Sequence, residues 1–197
     1  MGRLARAAFA VSLLTTGLAF PAGAVSLWTE GVDGDLSNSG AAPTAVVINA
    51  AGTYTLSGTM GGGDLDYLTL MLGAGVYLQS LQHTVYVSAD ATSFIGLQNS
   101  VTFTEPPGSP NVANLLGWTH FGSATLGTDI LDNICTGSGA IGCTPPLGPS
   151  TYAWWLQQAG ASATTYSIDF NVIPEPGTLP LVGLGLAVLA AARRRPD

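Results

Sequence analysis

Between residues 44 and 172, apolar and polar positions alternate in short runs, and the runs break at Gly, Pro, Ser or Asn. Alternation at period two places one set of side chains on a core and the other in water, as in a half-buried strand. The clearest case is near the C-terminal end of the body. Tyr166, Ile168, Phe170 and Val172 fall on one face, and Ser167, Asp169 and Asn171 on the other. Similarly, Val85 and Val87 oppose Thr84, Tyr86 and Ser88. The pattern predicts strands at Thr44 to Asn49, Thr53 to Ser57, Tyr67 to Leu72, Val76 to Leu81, His83 to Ser88, Ser93 to Leu97, Val101 to Thr104, Tyr152 to Gln157 and Thr165 to Val172. No convincing amphipathic helix interrupts them. Many short strands with turn residues between them predict an all-β fold, an antiparallel β-sandwich of jelly-roll-like kind. The stretch from Glu105 to Pro149 is the least regular, and its pairs Pro106-Pro107 and Pro145-Pro146 mark loops.

Both ends depart from this alternation. Arg3 and Arg6 precede an apolar run from Ala7 to Phe20, which Pro21 breaks; Ala22-Gly23-Ala24 then offers the small residues a signal peptidase accepts. Residues 1–24 therefore read as a secretory signal peptide with Ala22 and Ala24 at the cleavage site. The run falls short of the roughly 20 apolar residues of a membrane span. At the other end, Pro174, Glu175 and Pro176 precede an apolar stretch from Leu179 to Ala192, and Arg193, Arg194 and Arg195 follow it. Arginines stay on the cytoplasmic side, so such a short hydrophobic helix would stop in the membrane with the body outside.

This C-terminal order of motif, apolar helix and basic cluster resembles the PEP-CTERM sorting tail of exported bacterial proteins. The resemblance implies an exosortase as processing partner, a cut near Pro174, Glu175 and Pro176, and a setting of exopolysaccharide, biofilm or floc matrix. A simple membrane anchor is the competing reading of the same residues. The division is then 1–24 signal peptide, 25–173 β-sandwich domain and 174–197 sorting tail, with the protein exported to the envelope or matrix after transient anchoring in the inner membrane.

Charge narrows the function further. All five basic residues, Arg3, Arg6, Arg193, Arg194 and Arg195, sit in the two end segments, so the body has ten acids and no Lys or Arg. Such a surface cannot neutralise a nucleic-acid backbone, which excludes nucleic acid as a partner. Each body carboxylate must be solvated, capped by hydrogen bonds or bound to a metal. Cys135 and Cys143 are the only cysteines, and an oxidising exported location predicts that they pair. So short a loop would add about 2.5 kcal/mol on the chain-entropy model, a local staple. A catalytic thiol is the alternative and would need an electropositive setting.

The runs Asp33-Gly34-Asp35-Leu36-Ser37, Gly52 to Gly58 and Gly63-Asp64-Leu65-Asp66-Tyr67-Leu68-Thr69-Leu70 resemble the bacterial pre-peptidase C-terminal domain. That resemblance implies a β-sandwich accessory module. Asp33 and Asp35, and likewise Asp64 and Asp66, stand two residues apart around turns, with Glu30 close by. Flexible acidic turns of this kind suit calcium, and some members of the family bind it near the domain's start. Asp and Gly also favour turns for their own sake, so a solvated acidic surface is the other reading.

Tyr152, Trp154 and Trp155 form the densest aromatic cluster, and strand alternation sends the two tryptophans to opposite faces. Either both sheet faces are covered, or one indole is a surface platform on which a sugar ring stacks. Catalytic motifs are lacking: His83 and His120 are the only histidines, and there is no Gly-x-Ser-x-Gly elbow or His-Glu-x-x-His pair. A triad from His120 with Asp129 or Asp132 and some serine is a match that many sequences offer. The expected function is non-catalytic, a structural or interaction role at the envelope. A carbohydrate-binding module using Trp154 or Trp155 stands as the alternative and a secreted hydrolase as the third reading.

Overall fold

The structure, a computed structural model, describes residues 23–177. Nine strands and two short helices follow in order: β1 (Val25–Thr29), α1 (Glu30–Asp33), β2 (Thr44–Ile48), β3 (Gly52–Met60), β4 (Leu65–Leu72), β5 (Val76–Val87), β6 (Thr92–Gln98), β7 (Gly117–Gly122), α2 (Leu131–Cys135), β8 (Thr151–Gln157) and β9 (Thr164–Pro174). They build two facing sheets, one of four strands in the order β1-β3-β9-β5 and one of five in the order β2-β4-β8-β6-β7. The sandwich is the one the alternation predicts. Its two edge pairs, β1 with β3 and β2 with β4, run parallel, so the sheets are mixed and not purely antiparallel. The cause is the path of the chain. Strands β1 to β5 fall alternately in the two sheets, and each parallel pair is joined through a strand of the opposite sheet, which supplies the crossover that parallel pairing needs. Side-chain alternation carries no sign of strand direction, so this was not legible.

Between the sheets lies the main core. Tyr166, Ile168, Phe170 and Val172 of β9 all enter it, as their spacing predicts, and meet Leu56 and Met60 of β3, Leu68 and Leu70 of β4, and Trp154 of β8. Two expected strands, Val76 to Leu81 and His83 to Ser88, are one strand, β5, whose register against β9 shifts between Leu78 and Ser80 and again between His83 and Val85. Such bulges rotate the face that looks inward. Tyr86 is therefore in the core, while Val85 and Val87 are 39% and 65% exposed. The expected strand at Val101 to Thr104 is loop, and β1 and β7 are strands that the alternation did not reveal.

The five-stranded sheet is covered on its outer face as well. Phe103 and Leu115, from the long connection between β6 and β7, close over Tyr67, Ala153 and Trp155 in a second apolar cluster. Here the irregular segment serves as a third layer. Cys135 at the end of α2 is joined to Cys143 in a disulfide with Cα atoms 4.6 Å apart, as expected.

Candidate functional site

The connection from β3 to β4 passes from one sheet to the other through Gly61, Gly62 and Gly63, whose φ angles of 119°, 66° and 98° exclude ordinary side chains. Gly61 and Asp64 exchange two backbone hydrogen bonds of 3.1 and 3.2 Å to close the turn. At this mouth of the sandwich, residues of both sheets and of α1 converge. Glu30, the first residue of α1, lays its carboxylate on β3: Oε2 accepts from the Thr59 amide at 2.6 Å and its hydroxyl at 3.2 Å, and Oε1 accepts from the Leu36 amide at 3.3 Å. Gly58 makes this approach possible. A Cβ there would stand 2.6 Å from Glu30 Cδ, a separation no folded chain tolerates without movement. A glycine inside a strand commonly marks such a close approach.

Asp66 comes from the second residue of β4 and is wholly buried. Tyr166 of β9 donates its hydroxyl to Asp66 Oδ2 at 2.7 Å, while Oδ1 has no hydrogen-bond partner among the described residues. Burial, with the charges of Glu30, Asp64 and Asp35 added to it, outweighs the Tyr166 hydrogen bond and raises the Asp66 pKa from its ordinary 3.8 to about 8. Burial likewise raises Glu30, against the lowering effect of the Thr59 and Leu36 donors. The Tyr166 phenol is pushed well above 10 by burial and by the neighbouring carboxylate.

One oxygen from each of Glu30, Asp35 and Asp66 lies within 4.8 Å of the others. Above them opens a pocket of ≈ 470 Å³, lined among others by Thr29, Glu30, Asp35, Gly58, Thr59 and Thr165. Three carboxylates with no cationic side chain beside them repel one another, and only a proton or a metal ion relieves that repulsion. Hard oxygen donors of this type take calcium or magnesium.

Of the five acids that the acidic turns suggested, three meet here and two do not. Asp33 Oδ2 accepts from the Thr29 amide at 2.8 Å and so braces α1. Asp64 Oδ1 accepts from Asn38 Nδ2 at 3.0 Å, and Asn38 Oδ1 in turn accepts from the Leu65 amide at 2.5 Å. Sequence reasoning missed Tyr166, Thr59 and Gly58. Gly58 alone left a signal, as a glycine in the middle of an otherwise regular strand pattern. The role of Tyr166 depends on a contact 100 residues away in sequence, which alternation cannot report.

The surface-tryptophan reading is overturned. Trp154 is 0% and Trp155 2% exposed, so neither indole offers a face to a sugar ring. Trp154 packs edge-on to Phe170 between the sheets at 5.7 Å. On the opposite face Trp155 meets Phe94 at 4.7 Å and Phe103 at 5.5 Å beneath the covering loop. Both faces of β8 are buried, the arrangement that two tryptophans on opposite faces require. Among the described residues no hydrogen bond joins His120 to Asp129 or Asp132. His120 is exposed and faces the rings of Trp118 and Phe94, and Asp129 Oδ1 is occupied by the amides of Leu81 and Leu131.

The Pro174, Glu175 and Pro176 motif continues β9. Pro174 stands opposite Val76 of β5, and the Glu175 amide donates to the Gly75 carbonyl at 2.8 Å. Ala22, the apolar stretch from Leu179 to Ala192 and the cluster Arg193, Arg194 and Arg195 lie outside the described residues, as does most of the N-terminal leader; Ala24, just before β1, is exposed.

Comparison with known proteins bears on the tail. Residues 172–195 match the PEP-CTERM protein-sorting motif. Comparison with curated proteins returns no match. Among solved structures, the chain is similar to Aeromonas hydrophila PliG, a periplasmic lysozyme inhibitor of g-type lysozyme, at 14% identity and a TM-score of 0.32, over 66% of this chain and 98% of that one. A likeness so distant carries no argument about activity. The tail match does: this chain carries a PEP-CTERM sorting motif, which implies exosortase-dependent sorting to the cell envelope.

Proposed function

We propose that this protein is an exported, non-catalytic β-sandwich displayed in the cell envelope or extracellular matrix, with a structural or interaction role beside exopolysaccharide. The observation that carries the reading is the sorting motif at residues 172–195, joined without a spacer to the strand β9. An exosortase is the processing partner in this reading, and the apolar helix holds the chain in the inner membrane until the cut. The resemblance of the body to the pre-peptidase C-terminal domain supports an accessory module, and its lack of cationic side chains suits a neutral or cation-bridged polysaccharide matrix better than a bare anionic one.

Intact mass spectrometry of the protein recovered from its native culture tests the proposal. The expected species begins at Val25 and ends within Pro174 to Pro176 or bears a group attached there. A mass that retains Arg193, Arg194 and Arg195 overturns the processing step and leaves a membrane-tethered sandwich.

A further inference from the structure

The mouth of the sandwich holds a second capacity that the sorting reading does not use. Glu30, Asp35 and Asp66 come from three separate segments, the start of α1, the loop after it and β4, yet their oxygens gather within 4.8 Å. That span is about twice a calcium–oxygen bond of 2.3–2.6 Å, so one ion can touch all three. Acidic side chains gather on many surfaces without a ligand, but here the innermost member is fully buried and one of its oxygens is unpartnered among the described residues. Buried polar atoms are nearly always satisfied; of the four buried side-chain atoms without a partner among the described residues, Asp66 Oδ1 is the one that belongs to a cluster of three carboxylates, which points to a ligand there. The surroundings agree. Backbone and hydroxyl donors already hold Glu30 in place, and Tyr166 holds the other oxygen of Asp66, which fixes the ligands before an ion arrives.

We propose that Glu30, Asp35 and Asp66 bind one calcium ion, with Asp66 as the buried ligand, Asp35 as the exposed one, and water from the open pocket completing the shell. The three acids carry no nitrogen or sulfur donor, so an all-oxygen set of this kind suits a hard divalent cation better than zinc or copper. Calcium matches the span better than magnesium, whose shorter bonds demand a tighter cluster. The ion ties the segment that follows β1 to the opposite sheet through β4. Calcium-loaded protein is therefore held together at the end where the N-terminal strand is attached only along one edge, to β3.

The test uses the full chain in mild detergent, stripped of cations with chelator and titrated calorimetrically with calcium chloride and, separately, magnesium chloride. The expected result is one calcium per chain, with a dissociation constant of order 10⁻⁴–10⁻³ M as in extracellular modules. Asp35→Asn and Asp66→Asn should each weaken binding by at least about tenfold, since even outer-shell losses at metal sites cost that much. Asp33→Asn and Asp64→Asn should stay within about twofold, because those carboxylates are engaged elsewhere. Equal weakening by all four variants would mean diffuse attraction to an acidic surface and would overturn the site. Absent calcium binding, or magnesium binding more tightly than calcium, would overturn it too. Should Asp66→Asn fail to fold, terbium luminescence sensitised by tyrosine on the wild type and Asp35→Asn decides: emission lost in the variant supports the site, and emission unchanged refutes it. None of these outcomes depends on how the tail is processed.

Discussion

Among the described residues one histidine and one carboxylate are fully buried, His83 on β5 and Asp66 on β4, and their surroundings differ in one respect. Both ring nitrogens of His83 are engaged: Nε2 lies 3.1 Å from the Val85 carbonyl and Nδ1 2.9 Å from Thr125 Oγ1. A carbonyl only accepts, so in the neutral ring Nε2 carries the proton and Nδ1 lies against the Thr125 hydroxyl. Phe121 and Tyr86 pack edge-on to the imidazole at 5.1 and 5.7 Å. Asp66 has a partner for one oxygen and none for the other among the described residues. Burial alone therefore does not mark a site. A buried polar group with every partner in place is part of the architecture, whereas an unpartnered oxygen on an acid clustered with two others is what the proposed calcium ion would satisfy.

The widest test of this contrast is to delete the satisfied group. His83→Ala removes the imidazole from the Val85 carbonyl and from the Thr125 hydroxyl, which keeps its bonds to Gly122, and opens a void beside Phe121 and Tyr86. The expected loss is about 2–4 kcal/mol, read as a shift in the urea midpoint. A change below about 1 kcal/mol would show that the imidazole contributes little to the fold and would break the comparison.

Asp66→Asn should act in the opposite direction in calcium-free protein, and pH separates the two. Burial holds the folded pKa of Asp66 at about 8, above its ordinary 3.8. The folded state then binds the extra proton between those values, so stability is full below about pH 4 and declines as pH rises to about 8. Burial lowers the pKa of His83 below its ordinary 6.5, against the raising effect of the backbone acceptors at Val85 and Thr125. Here the unfolded state takes the proton first, so this contribution is complete above pH 6.5 and is lost as pH falls below it. Asp66→Asn should remove the alkaline decline and gain about 1–3 kcal/mol at pH 9, the cost of an unpartnered buried group. Calcium should cancel the same decline in the wild type. Urea titrations at pH 5, 7 and 9 decide, and an alkaline slope that survives the substitution would place its origin elsewhere.

A smaller effect separates the position of the ligands from their presence. Gly58→Ala would bring a methyl group within 2.6–2.8 Å of the Glu30 carboxyl atoms. Glu30 is the mobile partner in that clash, so calcium-free stability should fall by no more than about 1 kcal/mol. Calcium affinity should fall by roughly tenfold, because the displaced carboxylate no longer faces Asp35 and Asp66. Unchanged affinity would remove Glu30 from the ligand set.

How much of this was legible in sequence follows from the range of each interaction. The inward face of β9 was legible because four apolar residues at period two need no knowledge of the partner sheet. The disulfide was legible because two cysteines in an oxidising location have no other partner. The inward face of β5 was not, since two bulges reset the alternation and are determined by pairing with β9, 83 residues away at the Thr84 to Ser167 hydrogen bond. Trp154 and Trp155 on opposite faces told that β8 was either central and doubly covered or a binding platform. Only the layer carrying Phe103 and Leu115, contributed by the segment with the weakest pattern, distinguishes the two.

The acidic pairs show the same limit most sharply, and they carry the smallest predicted effect. In Asp33-Gly34-Asp35 and Asp64-Leu65-Asp66 one acid of each pair joins the cluster and the other serves a turn, because chain direction changes between them. Residue type and spacing are identical for the two members, so composition could place five acids near the mouth but could not choose among them. Asp64 belongs to the exposed end of the glycine turn, and its one side-chain hydrogen bond goes to Asn38 in contact with water. Asp64→Asn keeps an oxygen that can accept from Asn38 Nδ2 and removes one negative charge from the rim. The expected change is within about 0.5 kcal/mol in calcium-free protein, with calcium affinity altered by less than about twofold. A loss of calcium binding comparable to that of Asp66→Asn would move the site outward to the turn. The buried, half-partnered carboxylate would then be a neutral acid held by Tyr166, and the contrast with His83 would disappear.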